Sequence, residues 1–430
     1  MTDWLLKSVS VEGGFASDVL LRNGVVAQIG PSLSAPDARV VDGEGLILLP
    51  GLVDLHTHLR EPGRENAETV LTGSRAAARG GFTAVHAMAN TYPVADTAGV
   101  VEQVLHLGRE AGLVDVRPVG AVTVGLRGER MAELGAMAES EARVRVFSDD
   151  GICVSDPLLM RRALEYVRAF GGVIAQHAQD PRLTENAQMH EGEASARLGL
   201  TGWPSVAEES IISRDCLLAA HVGSRLHVCH VSTEGSVEVI RWAKRRGVRV
   251  TAEVTPHHLL LTDDRVASYD PVFKVNPPLR TARHVAALRD ALAEGVIDAV
   301  ATDHAPHPRE SKETEWAAAP PGMLGLEQAL AVVVTTLVEP GLLDWEGVAR
   351  VMSRAPARIA GIDDQHGRPI APGEPANLTL VDPHARRVVE AEDSVSLSRN
   401  NPYAGRELVG AVVATFLRGA ATVLDGEVQR

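Results

Sequence analysis

Two histidines, one residue apart, follow an apolar run in the stretch PGLVDLHTHLREPG, which begins at Pro50. Alternate residues of a β-strand point to the same face, so His56 and His58 could both bind one metal ion. Arg60 follows two residues later on the same face. The chain has 16 histidines in 430 residues, so a single pair of this kind is weak support for a metal site.

Four more residues of metal-binding type come at the ends of later apolar runs. They are Asp150 in VRVFSDDG, His177 in GGVIAQHAQD, His230 in LHVCHVS and Asp303 in DAVATDHAPH. If these runs are parallel strands of one barrel, their C-terminal ends converge on the face where barrel enzymes place their active sites. Four imidazoles and two carboxylates suit two borderline cations. Taken singly, each residue is explained equally well as a satisfied core or turn residue.

Eight short apolar runs alternate with amphipathic stretches between residues 50 and 360, and these elements would position the six residues. The predicted strands are 52–56, 83–88, 115–121, 143–147, 173–177, 226–231, 248–254 and 297–302. Several intervening stretches, such as DPLLMRRALEYVRAFGG, end in glycine, which often terminates a helix. Eight strands, each followed by a helix, predict a (β/α)8 barrel. A doubly wound open sheet is the alternative, but no glycine-rich phosphate loop follows the first strand.

The two ends of the chain have a different pattern, with short alternating runs and turn signals such as DVLLRNGVVAQIG and GAVVATFLRG. Because chain termini often lie close together, we predict that residues 1–49 and 366–430 form one composite β-sandwich domain. The catalytic barrel would then comprise residues 50–365.

The composition excludes several functional classes. A formal net charge of −14 argues against non-specific nucleic-acid binding. No apolar run is long enough to span a membrane, and the N-terminus lacks the pattern of a signal peptide. Three scattered cysteines are too few for a disulfide framework or a cysteine-type zinc site. These features predict a reduced, cytoplasmic protein that binds neither nucleic acid nor membrane.

Seven motifs resemble, in the same order, those of the bacterial class I dihydroorotases of the amidohydrolase superfamily. They are GLVDLHTHLREPG, AMANTYPVADT, FSDDG, TAEVTPHHLLL, VNPPLR, ATDHAPH and PGMLGLEQAL. The resemblance extends over essentially the whole chain, including the predicted β-domain. It implies the reversible interconversion of L-dihydroorotate and N-carbamoyl-L-aspartate, a step of UMP biosynthesis.

The resemblance also implies two Zn²⁺ ions in each subunit, bridged by Asp150 and a hydroxide. It assigns the other ligands as His56, His58 and Asp303 for the first ion, and His177 and His230 for the second. Asp303 would also act as general base and then general acid. The register of the motif favours Asp150 over its neighbour Asp149, and Mn²⁺ or Co²⁺ would suit the same ligands.

Many superfamily members, including hydantoinases, dihydropyrimidinases and allantoinases, bridge their ions with a carboxylated lysine on strand four. No lysine lies between Lys7 and Lys244 in this chain, so strand four cannot supply one. This absence agrees with the class I dihydroorotases, in which an aspartate takes that position.

The substrate carries a carboxylate outside its ring, and a guanidinium recognises a carboxylate through two parallel hydrogen bonds. Arg60 is therefore the predicted anchor. By resemblance, His58 is a further substrate-binding residue, Asn90 and His307 also hold the carboxylate, and Asn276 and the backbone near Pro321 and Gly322 meet the pyrimidine edge. The polar segment 307–322 is predicted to be a mobile loop that closes over substrate, with an ordinary surface loop as the alternative. Gln179 stands where the motif more often has an acid.

The resemblance also implies a homodimer and, in some members, assembly with aspartate transcarbamoylase. Two other functions stay open. The same machinery could act on hydantoin, dihydropyrimidine or allantoin, against which Arg60 and the missing lysine argue. An inactive homologue could serve as a scaffold, because fold alone does not establish activity; the complete ligand set argues against this.

Overall fold

A computed structural model describes residues 2–429 of the chain. Its strands are β1 (Trp4–Val11), β2 (Ala16–Arg22), β3 (Val25–Gly30), β4 (Arg39–Asp42), β5 (Ile47–Pro50), β6 (Leu52–Thr57), β7 (Phe82–Ala87), β8 (Asp115–Pro118), β9 (Val146–Phe147), β10 (Val173–Gln176), β11 (Met189–His190), β12 (Gly202–Trp203), β13 (Leu226–Val228), β14 (Val250–Val254), β15 (Ala299–Val300), β16 (Leu378–Val388), β17 (Glu407–Leu417), β18 (Ala420–Leu424) and β19 (Glu427–Val428).

Its α-helices are α1 (Val70–Arg79), α2 (Ala98–Ala111), α3 (Leu134–Glu139), α4 (Pro157–Val167), α5 (Glu193–Leu198), α6 (Val206–Val222), α7 (Glu234–Arg245), α8 (Pro256–Leu260), α9 (Ala282–Ala293), α10 (Arg309–Lys312), α11 (Ala329–Val333), α12 (Trp345–Ala349) and α13 (Ala355–Ala360). None of the helices within residues 2–429 combines the length and apolarity that a membrane span requires.

The predicted (β/α)8 barrel is confirmed. Strands β6, β7 and β8 pair in parallel, and β9, β10, β13, β14 and β15 form a second parallel set. Two isolated backbone bridges, Gly120 with Phe147 and Thr57 with His304, join the two sets into a closed ring. Strands β6, β7 and β10 are buried along their whole length, as expected for parallel strands that helices cover.

Local sequence signals set the ends of the helices. The side chain of Asp156 accepts a hydrogen bond from the backbone nitrogen of Leu159 at the start of α4, which satisfies one free N–H group there. After α4 the chain turns at Gly171, whose φ is 70°, a conformation that glycine adopts at little cost. The stretch DPLLMRRALEYVRAFGG therefore forms a helix and reverses direction where its glycines predict.

All eight predicted barrel strands are present, but several end earlier than their apolar runs. The run 115–121 gives a strand that ends at Pro118, and 297–302 gives one that ends at Val300. Residues just beyond these two strands still contact their neighbours: Gly120 bridges Phe147, and the backbone nitrogen of Ala301 donates to the Val254 carbonyl. Two residues that follow barrel strands, His230 after β13 and Asp303 after β15, have φ angles of 33° and 46°, which non-glycine residues rarely adopt.

Asp54 joins the first and last strands of the barrel. Its carboxylate accepts hydrogen bonds from the backbone nitrogen of Thr302 at 3.0 Å and from the Thr302 hydroxyl at 2.6 Å. It also accepts one from the backbone nitrogen of His56 at 3.0 Å. Burial raises the pKa of Asp54 to about 7. These bonds hold the ends of β6 and β15 together, so the residues that follow the two strands keep a fixed separation.

Both ends of the chain enter one nine-stranded sheet, in which β5 from the N-terminal segment pairs with β16 from the C-terminal segment. Trp4, Leu48 and Phe416 contribute to a separate apolar core beneath this sheet. The division of the chain at residues 49/50 and 365/366, and the description of the outer part as a sandwich, stay predictions.

A partly buried ion cluster connects the sheet to the barrel. The Asp115 carboxylate lies 2.9 Å from His366 Nε2 and 2.8 Å from the Arg418 guanidinium. Asp115 opens β8, whereas Arg418 lies in the turn between β17 and β18. Although burial opposes ionisation, His366 and Arg418 hold the pKa of Asp115 well below its usual range.

We expect Asp115→Asn to lower the free energy of unfolding by about 2 kcal/mol at pH 7, because the charge-assisted hydrogen bonds are lost. A carboxyl whose pKa is lowered by folding stabilises the protein above its unfolded pKa of about 4, and this stabilisation disappears as pH falls. In urea unfolding, the difference in free energy of unfolding between Asp115→Asn and the parent should therefore decrease below pH 4. Asp37→Asn, an exposed acid, is the control; a difference independent of pH would contradict this assignment.

Candidate active site

The six predicted ligand residues converge at the C-terminal end of the barrel, and all six are buried. They form two groups that share Asp150. In each group the ligand atoms lie within 4.8 Å of one another; the groups are His56, His58, Asp150 and Asp303, and Asp150, His177 and His230. We call His56, His58 and Asp303 the first half-site, and His177 and His230 the second half-site.

Asp150 lies between the half-sites and faces each of them with one oxygen. Its Oδ2 is 3.2 Å from His56 Nε2 and 3.3 Å from His58 Nε2. Its Oδ1 is 3.3 Å from both His177 Nδ1 and His230 Nε2. This is the arrangement that a carboxylate bridging two cations requires.

The neighbouring Asp149 is directed away from the cluster. Its Oδ1 accepts hydrogen bonds from the backbone nitrogens of Val122 at 2.8 Å and Thr123 at 2.9 Å, and its Oδ2 accepts one from the Thr123 hydroxyl. Burial raises the pKa of Asp149 to about 6. Asp149 therefore fixes the loop after β8, and the geometry favours Asp150 as the bridging candidate.

Three of the four histidines use their outer ring nitrogen to contact a side-chain oxygen. The pairs are His56 Nδ1 with Glu253 (2.8 Å), His58 Nδ1 with Asn90 (2.9 Å) and His177 Nε2 with Gln179 (2.7 Å). Because an oxygen acceptor requires a proton on the outer nitrogen, the inner nitrogen of each neutral ring keeps its lone pair. This is the tautomer that a metal-binding histidine needs.

The donors of the cluster fit divalent cations. The inner nitrogen of His56 is buried without a hydrogen-bond donor in the described chain, and His177 Nδ1 lies only 2.8 Å from His230 Nε2. Burial alone would lower the pKa of His56, but Asp150 and Asp303 raise it well above its usual value. The cluster therefore attracts positive charge, and imidazole with carboxylate is the ligand set that Zn²⁺ and similar ions prefer.

Glu253 is a buried carboxylate beneath the cluster that the motif analysis does not single out. It lies on β14, and its two oxygens are 2.8 Å from His56 Nδ1 and 2.9 Å from His227 Nε2. Burial opposes its ionisation, but the hydrogen bonds from His227 and His56 lower the pKa of Glu253 to about 2. A single acid within the apolar run VTAEV is the sequence signal that could have identified it.

Arg60 is a buried cation without an anionic partner. Only 6% of it is exposed, and its Nε donates to the backbone oxygen of Pro306 at 3.1 Å. Its terminal nitrogens form no hydrogen bond or ion pair with residues 2–429. Burial and nearby Arg64 lower the pKa of Arg60 to about 10, so it stays charged. A buried guanidinium left uncompensated in this way favours an anionic ligand.

Of the other predicted substrate contacts, Asn276 has a free acceptor whereas Pro321 is already engaged. Asn276 Nδ2 donates to Gln179 at 3.0 Å, and its Oδ1 is buried without a partner in the described chain. The carbonyl of Pro321 accepts a hydrogen bond from His307 Nε2 at 2.9 Å. A ring contact at Pro321 would therefore share or replace this bond.

Gly322 is held tightly on both sides. Its backbone nitrogen donates to the carbonyl oxygen of Lys274, and its carbonyl oxygen accepts a hydrogen bond from the side-chain amide of Asn400. Its φ is 142°, and a Cβ atom there would lie 2.7 Å from His307 Nε2. Glycine is therefore required at this position for His307 to occupy its place.

The segment 307–322 is closed against the barrel, and two of the four lysines in the chain hold it there. Lys312 Nζ donates to the carbonyls of Pro271 at 3.0 Å and Pro320 at 2.8 Å. Lys274 Nζ donates to the carbonyl of Trp316 at 2.7 Å. The loop is thus fastened through backbone carbonyls, which an ammonium group satisfies well because it carries three donors.

Lys312→Met should loosen this loop while preserving most of the side-chain volume. Loss of the hydrogen bonds costs about 1–2 kcal/mol, so we expect roughly tenfold faster cleavage after Glu310 or Glu313 by a glutamate-specific protease. The matched control is Arg309→Met in the same loop, since exposed ion pairs contribute little. Equal cleavage rates for the two variants would show that Lys312 does not hold the loop.

The barrel and the carboxylate shared by two groups of histidines are features of a metal-dependent hydrolase, and comparisons with known proteins narrow this class to the cyclic amidohydrolases. The fold is similar to an L-hydantoinase (dihydropyrimidinase) from Arthrobacter aurescens, with 29% identity, a TM-score of 0.88 and coverage of 100% of this chain and 98% of that one. It is also similar to a dihydropyrimidinase from Brevibacillus agri, with 23% identity, a TM-score of 0.84 and coverage of 100% and 96%.

Sequence comparison specifies the family. The family described as dihydro-orotase-like matches residues 45–236. A dihydroorotase of Streptomyces coelicolor is 66% identical over 427 residues, which are 99% of this chain and 100% of the relative. A dihydroorotase of Mycobacterium tuberculosis is 59% identical, with 99% of both chains covered. The chain belongs to the dihydroorotase family.

Proposed function

We propose that this protein catalyses the reversible, zinc-dependent cyclisation of N-carbamoyl-L-aspartate to L-dihydroorotate in UMP biosynthesis. The observation that supports this most directly is that Asp150 is shared by two groups of buried histidines. The unpaired guanidinium of Arg60 adds to it, because Arg60 follows β6, the strand that carries His56. Hydrolysis of an anionic cyclic amide requires a metal cluster that activates water and, beside it, a cationic group that binds the substrate's carboxylate.

In this proposal the residues of the first half-site would hold one Zn²⁺ and those of the second half-site another, with Asp150 available to both. When bound, such ions lower the pKa of water toward neutrality and polarise a carbonyl group. The protein contributes a buried, water-poor setting and fixed histidine tautomers. Asn90, Gln179 and Glu253 maintain these tautomers through the outer ring nitrogens.

Asp303 is the proposed acid–base residue. Its Oδ1 lies 3.0 Å from His58 Nε2 and 3.5 Å from His56 Nε2, so it reaches the centre of the cluster. Although burial opposes ionisation, His56 and His58 hold the pKa of Asp303 well below its usual range. It therefore starts as a base, takes a proton from the attacking water and delivers it to the departing ring nitrogen. In ring closure Asp303 would remove a proton from the ureido nitrogen, which attacks the carboxyl carbon, and would return that proton to the departing oxygen, which leaves as water.

Arg60 is the proposed anchor for the carboxylate that lies outside the ring. Asn90 and His307 would assist it, while Asn276 would face the ring through its unpartnered Oδ1. Because His58 and Arg60 are two residues apart, one short segment fixes the distance between the cations and the anchor. Asn90 also bonds His58, so substrate binding and histidine orientation share this side chain.

Location and assembly form part of the proposal. The three cysteines are buried and free, which supports a reducing, cytoplasmic compartment. A homodimer, and assembly with aspartate transcarbamoylase, rest on the resemblance to class I dihydroorotases.

The purified, zinc-loaded protein should convert L-dihydroorotate to N-carbamoyl-L-aspartate, measured by absorbance and chromatography. Asp303→Asn should lower kcat by about 10²–10⁴-fold, because general acid–base catalysis is lost. Arg60→Lys should raise KM by about tenfold or more, because a lysine cannot form the two parallel hydrogen bonds. Arg309→Lys, on the surface, is the matched control.

Hydantoin and allantoin serve as competing substrates in the same assay. Turnover of either one without turnover of dihydroorotate would contradict both the proposed substrate and the role of Arg60. Absence of turnover with all three, despite bound zinc, would instead favour the scaffold alternative.

A further inference from the structure

We propose that the two half-sites bind metal with unequal strength, and that Glu253 and Gln179 act as the positioning residues that set the difference. The first half-site would bind its ion more tightly, and the ion of the second half-site would exchange first. This inference rests on the proposed function, because it concerns the same cluster.

The first half-site is supported by a buried carboxylate. Glu253 is 1% exposed, and its Oε1 lies 2.8 Å from His56 Nδ1. A carboxylate acceptor makes the opposite nitrogen of an imidazole a better metal donor and fixes the orientation of the ring. It also places a negative charge inside the barrel, where low dielectric strengthens its attraction for a nearby cation.

His227 keeps this carboxylate in place. Its Nε2 is 2.9 Å from Glu253 Oε2, and its Nδ1 is 2.9 Å from the Thr251 hydroxyl. The backbone nitrogen of His230 lies 3.4 Å from Glu253 Oε1. The carboxylate is thus contacted on both oxygens and cannot turn away from His56 without losing these bonds.

The second half-site has neutral support only. Gln179 Oε1 lies 2.7 Å from His177 Nε2, and the same oxygen accepts a hydrogen bond from Asn276 Nδ2 at 3.0 Å. An amide carries no net charge, and here its acceptor is divided between two donors. The outer nitrogen of His230 forms no hydrogen bond with another residue in the range 2–429. The histidines of the second half-site therefore have weaker outer partners than His56 has.

Zinc release measures this inequality without reference to activity. The zinc-loaded full-length protein is mixed with excess chelator, and protein-bound zinc is followed over time by mass spectrometry. The parent should lose one equivalent at least tenfold faster than the other. Glu253→Gln removes the charge but keeps the shape, and it should speed the slow phase by about 10–100-fold. Gln179→Glu should slow the fast phase by a similar factor.

Asp115→Asn is the matched control, because it removes a carboxylate bonded to a histidine outside the cluster. It should leave both phases unchanged. If Glu253→Gln does not fold, as judged by circular dichroism, Gln179→Glu carries the test alone. Release of both equivalents in one phase by the parent, or a fast phase unaffected by Gln179→Glu, would overturn the inference.

Turnover of dihydroorotate is assayed on the same samples to separate the two proposals. Normal turnover with single-phase release would overturn this inference and leave the proposed function intact. Two-phase zinc release that responds to the variants, without turnover of dihydroorotate, would overturn the proposed function but still support unequal metal binding by the two half-sites.

Discussion

The structure of the site depends on one buried carboxylate, Asp150, that faces histidine nitrogens with both of its oxygens. Four imidazoles and two carboxylates lie within a few ångströms of one another, away from bulk water. Burying such groups is costly unless they are paired or coordinate a cation. The arrangement therefore favours positive charge at its centre, which divalent cations would supply. This requirement explains why the residues around Asp150 are imidazoles and carboxylates held in fixed positions.

The barrel meets the requirement by bringing distant parts of the chain to one end. His56 and Asp303 are far apart in sequence, but His56 lies on β6 and Asp303 follows the adjacent β15, and Asp54 joins these strands through Thr302. The strained backbone at His230 and Asp303 turns these side chains inward. Such strain persists only where the surrounding structure holds it in place. Here the cost of the strain is offset by the rigid ring of strands.

The sequence predicts the barrel, the joined β-rich ends and the convergence of six residues, because apolar runs and their polar ends follow directly from strand geometry. It predicts strand ends less well. The runs 115–121 and 297–302 extend past the last regular strand residues, Pro118 and Val300, and hydrophobicity alone does not show where regular pairing stops. The choice between Asp149 and Asp150 also required coordinates, since only contacts with Val122 and Thr123 show which of the two points away. The single acid in VTAEV marks Glu253 but does not show that its partner is His56. The contacts of Gln179 with Asn276, and of the lysines with the loop, likewise join residues distant in sequence that no local pattern pairs.

The most direct test of the two-cation site is anomalous diffraction at the zinc absorption edge from crystals of the zinc-loaded protein. We expect two peaks on opposite sides of Asp150, one beside His56 and His58 and one beside His177 and His230. Only the first peak should remain after brief exposure to a chelator. An absence of peaks at Asp150, or one peak that contacts a single oxygen of this residue in saturating zinc, would contradict a two-cation site.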